Sequence, residues 1–265
     1  MDYQEIIELI GREAGGLPDD AAERAAESVL RVLAARLPRG EVRRLLQELP
    51  AEMKPWVYTE QDPEAFDIDE FLDRIAKRED IDIETALVRA RAVFAALGQA
   101  LSPETVTHVA GSLPKTFGPL VAEAQGRLVD IMPAGQFWAR VGQRLSLDEA
   151  VARYVTEAVL ETLAERIAGG QVEDLIAQLD PLLHPPLRRG LSSATPGGRR
   201  MALEEFLRRV AAREGADVDE VGLIGQISGH VRAVLATLAE AVSDKEWFDV
   251  TAELPAEYDS VIPPR

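Results

Sequence analysis

Four valines in this chain are each followed, twenty residues later, by a leucine: Val29 and Leu49, Val93 and Leu113, Val159 and Leu179, Val234 and Leu254. A spacing that recurs four times points to one packing unit used four times, which constrains the fold more than any single motif could. Each valine opens a stripe at i, i+4 and i+8: Val29, Leu33, Leu37; Val93, Leu97, Leu101; Val159, Leu163, Ile167; Val234, Leu238, Val242. Upstream lies a pair of apolar residues four apart: Ile6 and Ile10, Phe71 and Ile75, Phe137 and Val141, Phe206 and Val210. Downstream comes a shorter set: Val42, Leu45, Leu49; Val106, Val109, Leu113; Val172, Leu175, Leu179; Trp247, Val250, Leu254. These spacings place apolar residues on one face of a helix, and the alternation a strand needs is absent. The pattern predicts an all-α protein of four related three-helix repeats, arranged as two pseudo-symmetric helical halves over residues 1–125 and 126–265.

The punctuation agrees. Leu-Pro follows three of the repeats at Pro50, Pro114 and Pro255, and Asp180-Pro181 follows the other. Proline lacks a backbone N–H and clashes with the preceding turn, so helices stop before it. Ser102 and Ser243 are suited to cap the third helix of their repeats, with Pro103 in the first helical position. Residues 58–67 and 189–202 read as linkers. An extra helix through Val121, Leu128, Val129 and Ile131 is expected between repeats two and three, interrupted by Gly126.

Asp69-Glu70-Phe71-Leu72, Arg213-Glu214-Gly215, Arg232-Ala233-Val234-Leu235 and Leu254-Pro255-Ala256-Glu257-Tyr258 resemble the bacterial family catalogued as domain of unknown function 2267. The resemblance covers nearly the whole chain, as two tandem copies of two repeats each. Repeat three departs from it, with Leu145-Ser146 in place of an Arg-Glu or Glu-Ala pair. The resemblance implies a fold and carries over no catalytic or binding residues.

Composition narrows the function classes. The chain holds no cysteine, which removes disulfides, thiolate metal sites and thiol nucleophiles. Its acidic start, Met1-Asp2-Tyr3-Gln4-Glu5, is unlike a signal peptide, and no apolar run approaches a membrane span. A cytoplasmic protein that does not enter a membrane is the expectation. The net charge is −17, with eleven acids between residues 60 and 84 against Arg74, Lys77 and Arg78. A field of this sign repels phosphate backbones, so nucleic acid is an unfavourable partner. The four arginines Arg188, Arg189, Arg199 and Arg200 sit in a stretch that reads as a solvated linker.

No catalytic constellation is evident. His108, His184 and His230 fall at different offsets within their repeats and read as surface or capping residues. Glu104 and His108 make one isolated i, i+4 pair, a poor metal site. Asp80-Ile81-Asp82-Ile83-Glu84 lacks the glycine and the terminal glutamate of a calcium loop, and suits a turn capping the next helix. Arg78-Glu79 and Arg213-Glu214 read as solvated helix ends. Repeat four is six residues longer than the others near Val221 to Gly229. That extension is either a mobile or binding segment exposing Leu223, Ile224 and Ile227, or a tolerated loop extension or kinked longer helix.

The expected function is a non-enzymatic interaction or scaffold module, with no cofactor or metal and with a basic protein as the partner its charge suits. The alternative is a small-molecule or lipid-binding protein with a groove between the halves, lined by Phe117, Leu128, Ile131, Met132 and Trp138.

Overall fold

The computed structural model describes residues 1–126, 131–194, 197–215 and 223–263, and among them every regular element is a helix. The chain divides into two units, Met1–Asp130 and Ile131–Arg265. Unit 1 opens with α1 (Tyr3–Glu13), α2 (Asp19–Arg36), α3 (Arg39–Glu48) and the short α4 (Lys54–Val57). Its second part holds α5 (Ile68–Glu79), α6 (Ile83–Ala100) and α7 (Pro103–Gly111), then a 3₁₀ turn at Lys115–Phe117 that leads into α8 (Gly118–Ala124).

Unit 2 repeats this order. It opens with α9 (Ala134–Leu145), α10 (Glu149–Arg166) and α11 (Gly169–Ile176), then a 3₁₀ turn at Pro181–Leu183 and α12 (His184–Ser193). It continues with α13 (Leu203–Arg213), α14 (Leu223–Ala241) and α15 (Asp244–Ala252), and a 3₁₀ turn at Ala256–Ser260.

Local chemistry sets the helix boundaries. Asp2 and Glu5 form a reciprocal capping box on α1, satisfying two N–H groups the helix cannot pair internally. Asp67, Asp82, Ser102, Asp148 and Ser243 cap α5, α6, α7, α10 and α15 through side-chain oxygens. At the other end, Asp80 and Ser146 adopt left-handed backbone and terminate α5 and α9.

Within each unit the two parts interlock. In unit 1, α1 packs on α6 as well as α2, α5 packs on α2 as well as α6, and α3 meets α7. In unit 2, α9 packs on α14 and α10, α13 packs on α10 and α14, and α11 meets α15. The four reference valines are fully buried at these crossings, and all the stripe residues around them are buried. Each such side chain contributes about 1.5–3 kcal/mol through burial.

Two of the four closing leucines depart from expectation. Leu49 and Leu179 are buried, whereas Leu113 and Leu254 are half-buried. All four lie beyond the last residue of their helix, at Glu48, Gly111, Ile176 and Ala252, so helix length does not separate them; in unit 2 Leu179 belongs to the core and Leu254 packs against its edge.

The stretch 189–202 is less of a linker than its composition suggests. Arg188, Arg189 and Gly190 lie in α12, which packs on α10. Gly190 is required there, because a Cβ would fall 2.2 Å from the Glu161 carbonyl oxygen. Residues 58–67 are likewise tied down. The Glu64 N–H bonds to the Ala35 carbonyl at 2.8 Å, and Arg36 donates to the Phe66 carbonyl at 2.8 Å. The extension of repeat four is helical from Leu223, with Ile227 buried and Ile224 exposed; Val221 and Gly222 lie outside the described residues. The expected helix after repeat two is α8, which ends before Gly126; Leu128 and Val129 lie outside the described residues. No helix among the described residues is long and apolar enough to cross a membrane.

Candidate functional site

Counting from the reference valines shows where polar chemistry is spent. Glu48, nineteen residues after Val29, accepts the backbone N–H of Ser102, nine residues after Val93, at 2.6 Å. The other oxygen of the same carboxylate accepts the Ser102 and Thr105 hydroxyls at 2.8 and 2.6 Å. These contacts, the Ser102 N–H first, hold the Glu48 carboxyl below the usual carboxylate range. In unit 2, Gln178 accepts the Ser243 N–H at 2.9 Å, and Glu253 accepts the Ala168 N–H at 2.6 Å, at the same two offsets. The fourth combination would pair Ser112 with Pro38, which has no N–H to offer, and Ser112 bonds to the His108 carbonyl instead. Beside this seam Glu246 is buried and held by the amides of Gln171 and Gln178. Burial first, and the Asp174 charge second, push its carboxyl up.

A second recurrence concerns buried pairs of an acid with a basic side chain. Glu79, eight residues after Phe71, pairs with Arg89, four residues before Val93. Glu214, eight residues after Phe206, pairs with His230, four residues before Val234, at 2.8 Å. Glu79 and Glu214 are therefore buried partners rather than solvated helix ends. At the same offsets repeats one and three carry Ala14 with Ala25, and Leu145 with Val155. Two of the three histidines also differ from expectation. His108 is exposed, while His230 is buried in this pair and His184 is fully buried with Nε2 3.1 Å from the Leu179 carbonyl oxygen.

Three of the four arginines of the patch lie beside carboxylates. Arg188 meets Glu173 at 2.6 Å, Arg189 meets Glu161 at 2.7 Å and Glu157 at 3.2 Å, and Arg199 lies 3.9 Å from Glu205. Glu161 also binds Arg213 at 2.9 Å. Burial opposes ionisation of Glu161, but the hydrogen bonds from Arg189 and Arg213 outweigh it and hold the carboxyl low.

The residues expected to line a groove are placed as follows. Phe117 is fully buried in unit 1, edge-on to Phe71 with ring centroids 5.2 Å apart. Its counterpart in unit 2 is Tyr258, edge-on to Phe206 at 5.5 Å, so the position serves core packing in both units. The Tyr258 hydroxyl donates to the Met201 carbonyl at 3.0 Å, and burial pushes its pKa up to about 12. Met132 and Trp138 belong to one core cluster of unit 2, with the Arg153 guanidinium 4.7 Å above the Trp138 ring. Ile131 is half-buried, and Leu128 lies outside the described residues.

Two clefts among the described residues lie away from these side chains, and periodicity did not reveal them. One cleft of about 550 Å³ in unit 1 is lined by Glu13 of α1, by Ala95, Gly98 and Gln99 of α6, by residues of α7, and by Glu123 and Ala124 of α8. One of about 650 Å³ in unit 2 is lined by Arg144 and Leu145 of α9, by Arg232, Ala233 and Ala236 of α14, and by Ile262 and Pro263 among others. Both fall where the first helix of the unit meets the long helix of its second part, α1 with α6 and α9 with α14. Their linings correspond: Glu13 and Arg144 each lie seven residues after Ile6 and Phe137, and Ala95 and Ala236 each lie two residues after their valine. The floor residue is alanine in both units. The wall residue changes from an acid to an arginine.

The family described as "Uncharacterized conserved protein (DUF2267)" matches residues 3–120 and again residues 135–261. The chain belongs to this family and carries two tandem copies of its domain. No curated protein and no solved structure matches the chain.

Proposed function

We propose that this chain is a non-enzymatic two-unit adaptor that binds protein partners, with a basic partner segment seated in the cleft of unit 1. The observation that supports this reading is the pair of corresponding clefts with diverged charge: Glu13 and Glu123 on one, Arg144 and Arg232 on the other. Duplicated units that keep the same core but differ at the wall of the same cleft are suited to holding different partners. The net charge of −17 would steer a basic partner towards unit 1 and speed its encounter. A cytoplasmic setting is part of this reading.

The test is a photo-crosslinking residue placed at Gln99 in the unit 1 cleft, with Arg24 on the exposed side of α2 as the control position. The reading expects a basic protein to crosslink from Gln99 and not from Arg24. The purified partner should then associate at least about tenfold more slowly with the Glu13→Lys, Glu123→Lys double variant, because charge complementarity acts mainly on association rate. Equal crosslinking from both positions, or equal association with the double variant, would overturn it.

A further inference from the structure

The cleft of unit 2 supports a more specific statement. In unit 1 a helix, α8, packs on α6, and it comes so close that a Cβ on Gly98 would lie 1.9 Å from the Ala124 carbonyl oxygen. In unit 2 the corresponding segment follows Tyr258 and reads Asp259-Ser260-Val261-Ile262-Pro263-Pro264. Val261 is buried as Leu120 of α8 is, so the two segments start alike. Consecutive prolines then deny the segment a helix interior. Ile262 and Pro263 line the cleft beside α14 as irregular chain instead.

Its chemistry is apolar in the middle and cationic at the edge. Leu145, Ala233, Ala236 and Ile262 supply the apolar lining. Arg144 lines the cleft, and Arg140 stands in an adjoining depression where the two share a single carboxylate, Glu240, with Arg140 at 2.7 Å and Arg144 also donating to the Thr237 hydroxyl at 2.9 Å. Arg232 donates to the Ser260 carbonyl at 2.9 Å, a neutral acceptor. Asp259 is the one acid lining the cleft itself among the described residues. Three guanidiniums against Glu240 and Asp259 leave a local positive excess in a strongly acidic chain, and guanidinium pairs carboxylates in a bidentate fork.

We propose that this cleft docks a carboxylate-bearing amphipathic helix presented by a partner protein, in the manner of helix-in-groove recognition. The proposal rests on the adaptor reading and adds a second, chemically opposite partner to it.

The test uses the full chain and a fluorescein-labelled helix of about fourteen residues, stapled because helices this short are marginal in isolation. The helix is built of Ala, Leu and Glu, and twins replace every Glu with Gln or with Lys. Anisotropy should show saturable binding of the Glu helix and at least about tenfold weaker binding of the Gln twin. Ala236→Trp, which fills the cleft, should abolish that binding, and Ala95→Trp in unit 1 should leave it intact. Arg232→Glu, an exposed position, supplies a second variant that weakens binding without crowding the core. Glu and Gln helices that bind alike, no saturable binding of the Glu helix, or undiminished binding to both unit 2 variants would overturn the proposal. If the Lys twin alone binds and Ala95→Trp removes it, the adaptor reading stands and this inference falls.

Discussion

Glu253 reaches across unit 2 to accept the backbone N–H of Ala168 at 2.6 Å, joining the loop after α15 to the start of α11. The bond satisfies one of the N–H groups that a helix start cannot pair internally. Glu253→Ala should therefore destabilise the protein by about 1.5–3 kcal/mol, the range for a hydrogen bond to a charged group. Ser112→Ala, at the same offset in repeat two where the corresponding donor position is Pro38, should stay within about 0.5 kcal/mol. Urea unfolding of both variants checks this; equal losses would show that the seam carries no weight.

The buried pair of Glu214 and His230 invites a comparison with Glu79 and Arg89. Removing one member of a buried pair strands the other, at a cost of about 3–5 kcal/mol. His230→Ala should show a loss of that size, with one oxygen of Glu214 already lacking a hydrogen-bond partner. His230→Arg should cost less, since arginine fills the equivalent place in unit 1. Melting temperatures that fall equally for both variants would contradict the equivalence.

Glu48 gives a pH dependence with a definite sign. Its folded pKa is lowered, chiefly by the Ser102 N–H, so the stability it contributes is present above the unfolded carboxylate value of about 4.3. That contribution is lost as pH falls through the lower, folded value. Glu48→Gln, which keeps an acceptor as Gln178 does in unit 2 but removes the charge, should flatten the acid limb of the stability curve and lower neutral-pH stability by the same amount. An unaltered acid limb in denaturant titrations between pH 3 and pH 6 would refute the assignment.

The closing leucines should separate into two classes. Leu179→Ala removes a buried side chain and should cost about 2–5 kcal/mol. Leu113→Ala and Leu254→Ala should cost less, because both side chains already touch solvent. Calorimetry that ranks Leu254→Ala with Leu179→Ala would show that the rim leucines are held more tightly than their exposure implies.

Much of the fold was legible because apolar spacing reports helix faces directly. Every residue assigned to the valine stripes is buried. What escaped was chemistry that depends on which helices meet. Glu79 and Glu214 sit beside arginines in sequence, and only the crossing of α5 with α6 and of α13 with α14 buries them. Helix α12 was hidden by its two prolines and Gly190, residues that disfavour helices in isolation but fit at a helix start and at a close approach. The clefts were hidden for a related reason. Glu13 and Arg144 are ordinary exposed residues on α1 and α9 until those helices pack against α6 and α14. Their shared offset from Ile6 and Phe137 was the one signal available beforehand. Asp67, placed in a linker by composition, instead caps α5 by accepting the N–H groups of Asp69 and Glu70.

The central claim is that the two corresponding clefts are the partner surfaces and differ in the charge they accept. Hydrogen exchange on the full chain, with the Lys helix and the Glu helix added separately at saturating concentration, tests it most directly. The account predicts that the Lys helix slows exchange around residues 95–107 and 118–126, and that the Glu helix slows it around residues 229–237 and 258–263. Protection by both helices at the same unit, or protection confined to faces away from either cleft, would contradict it.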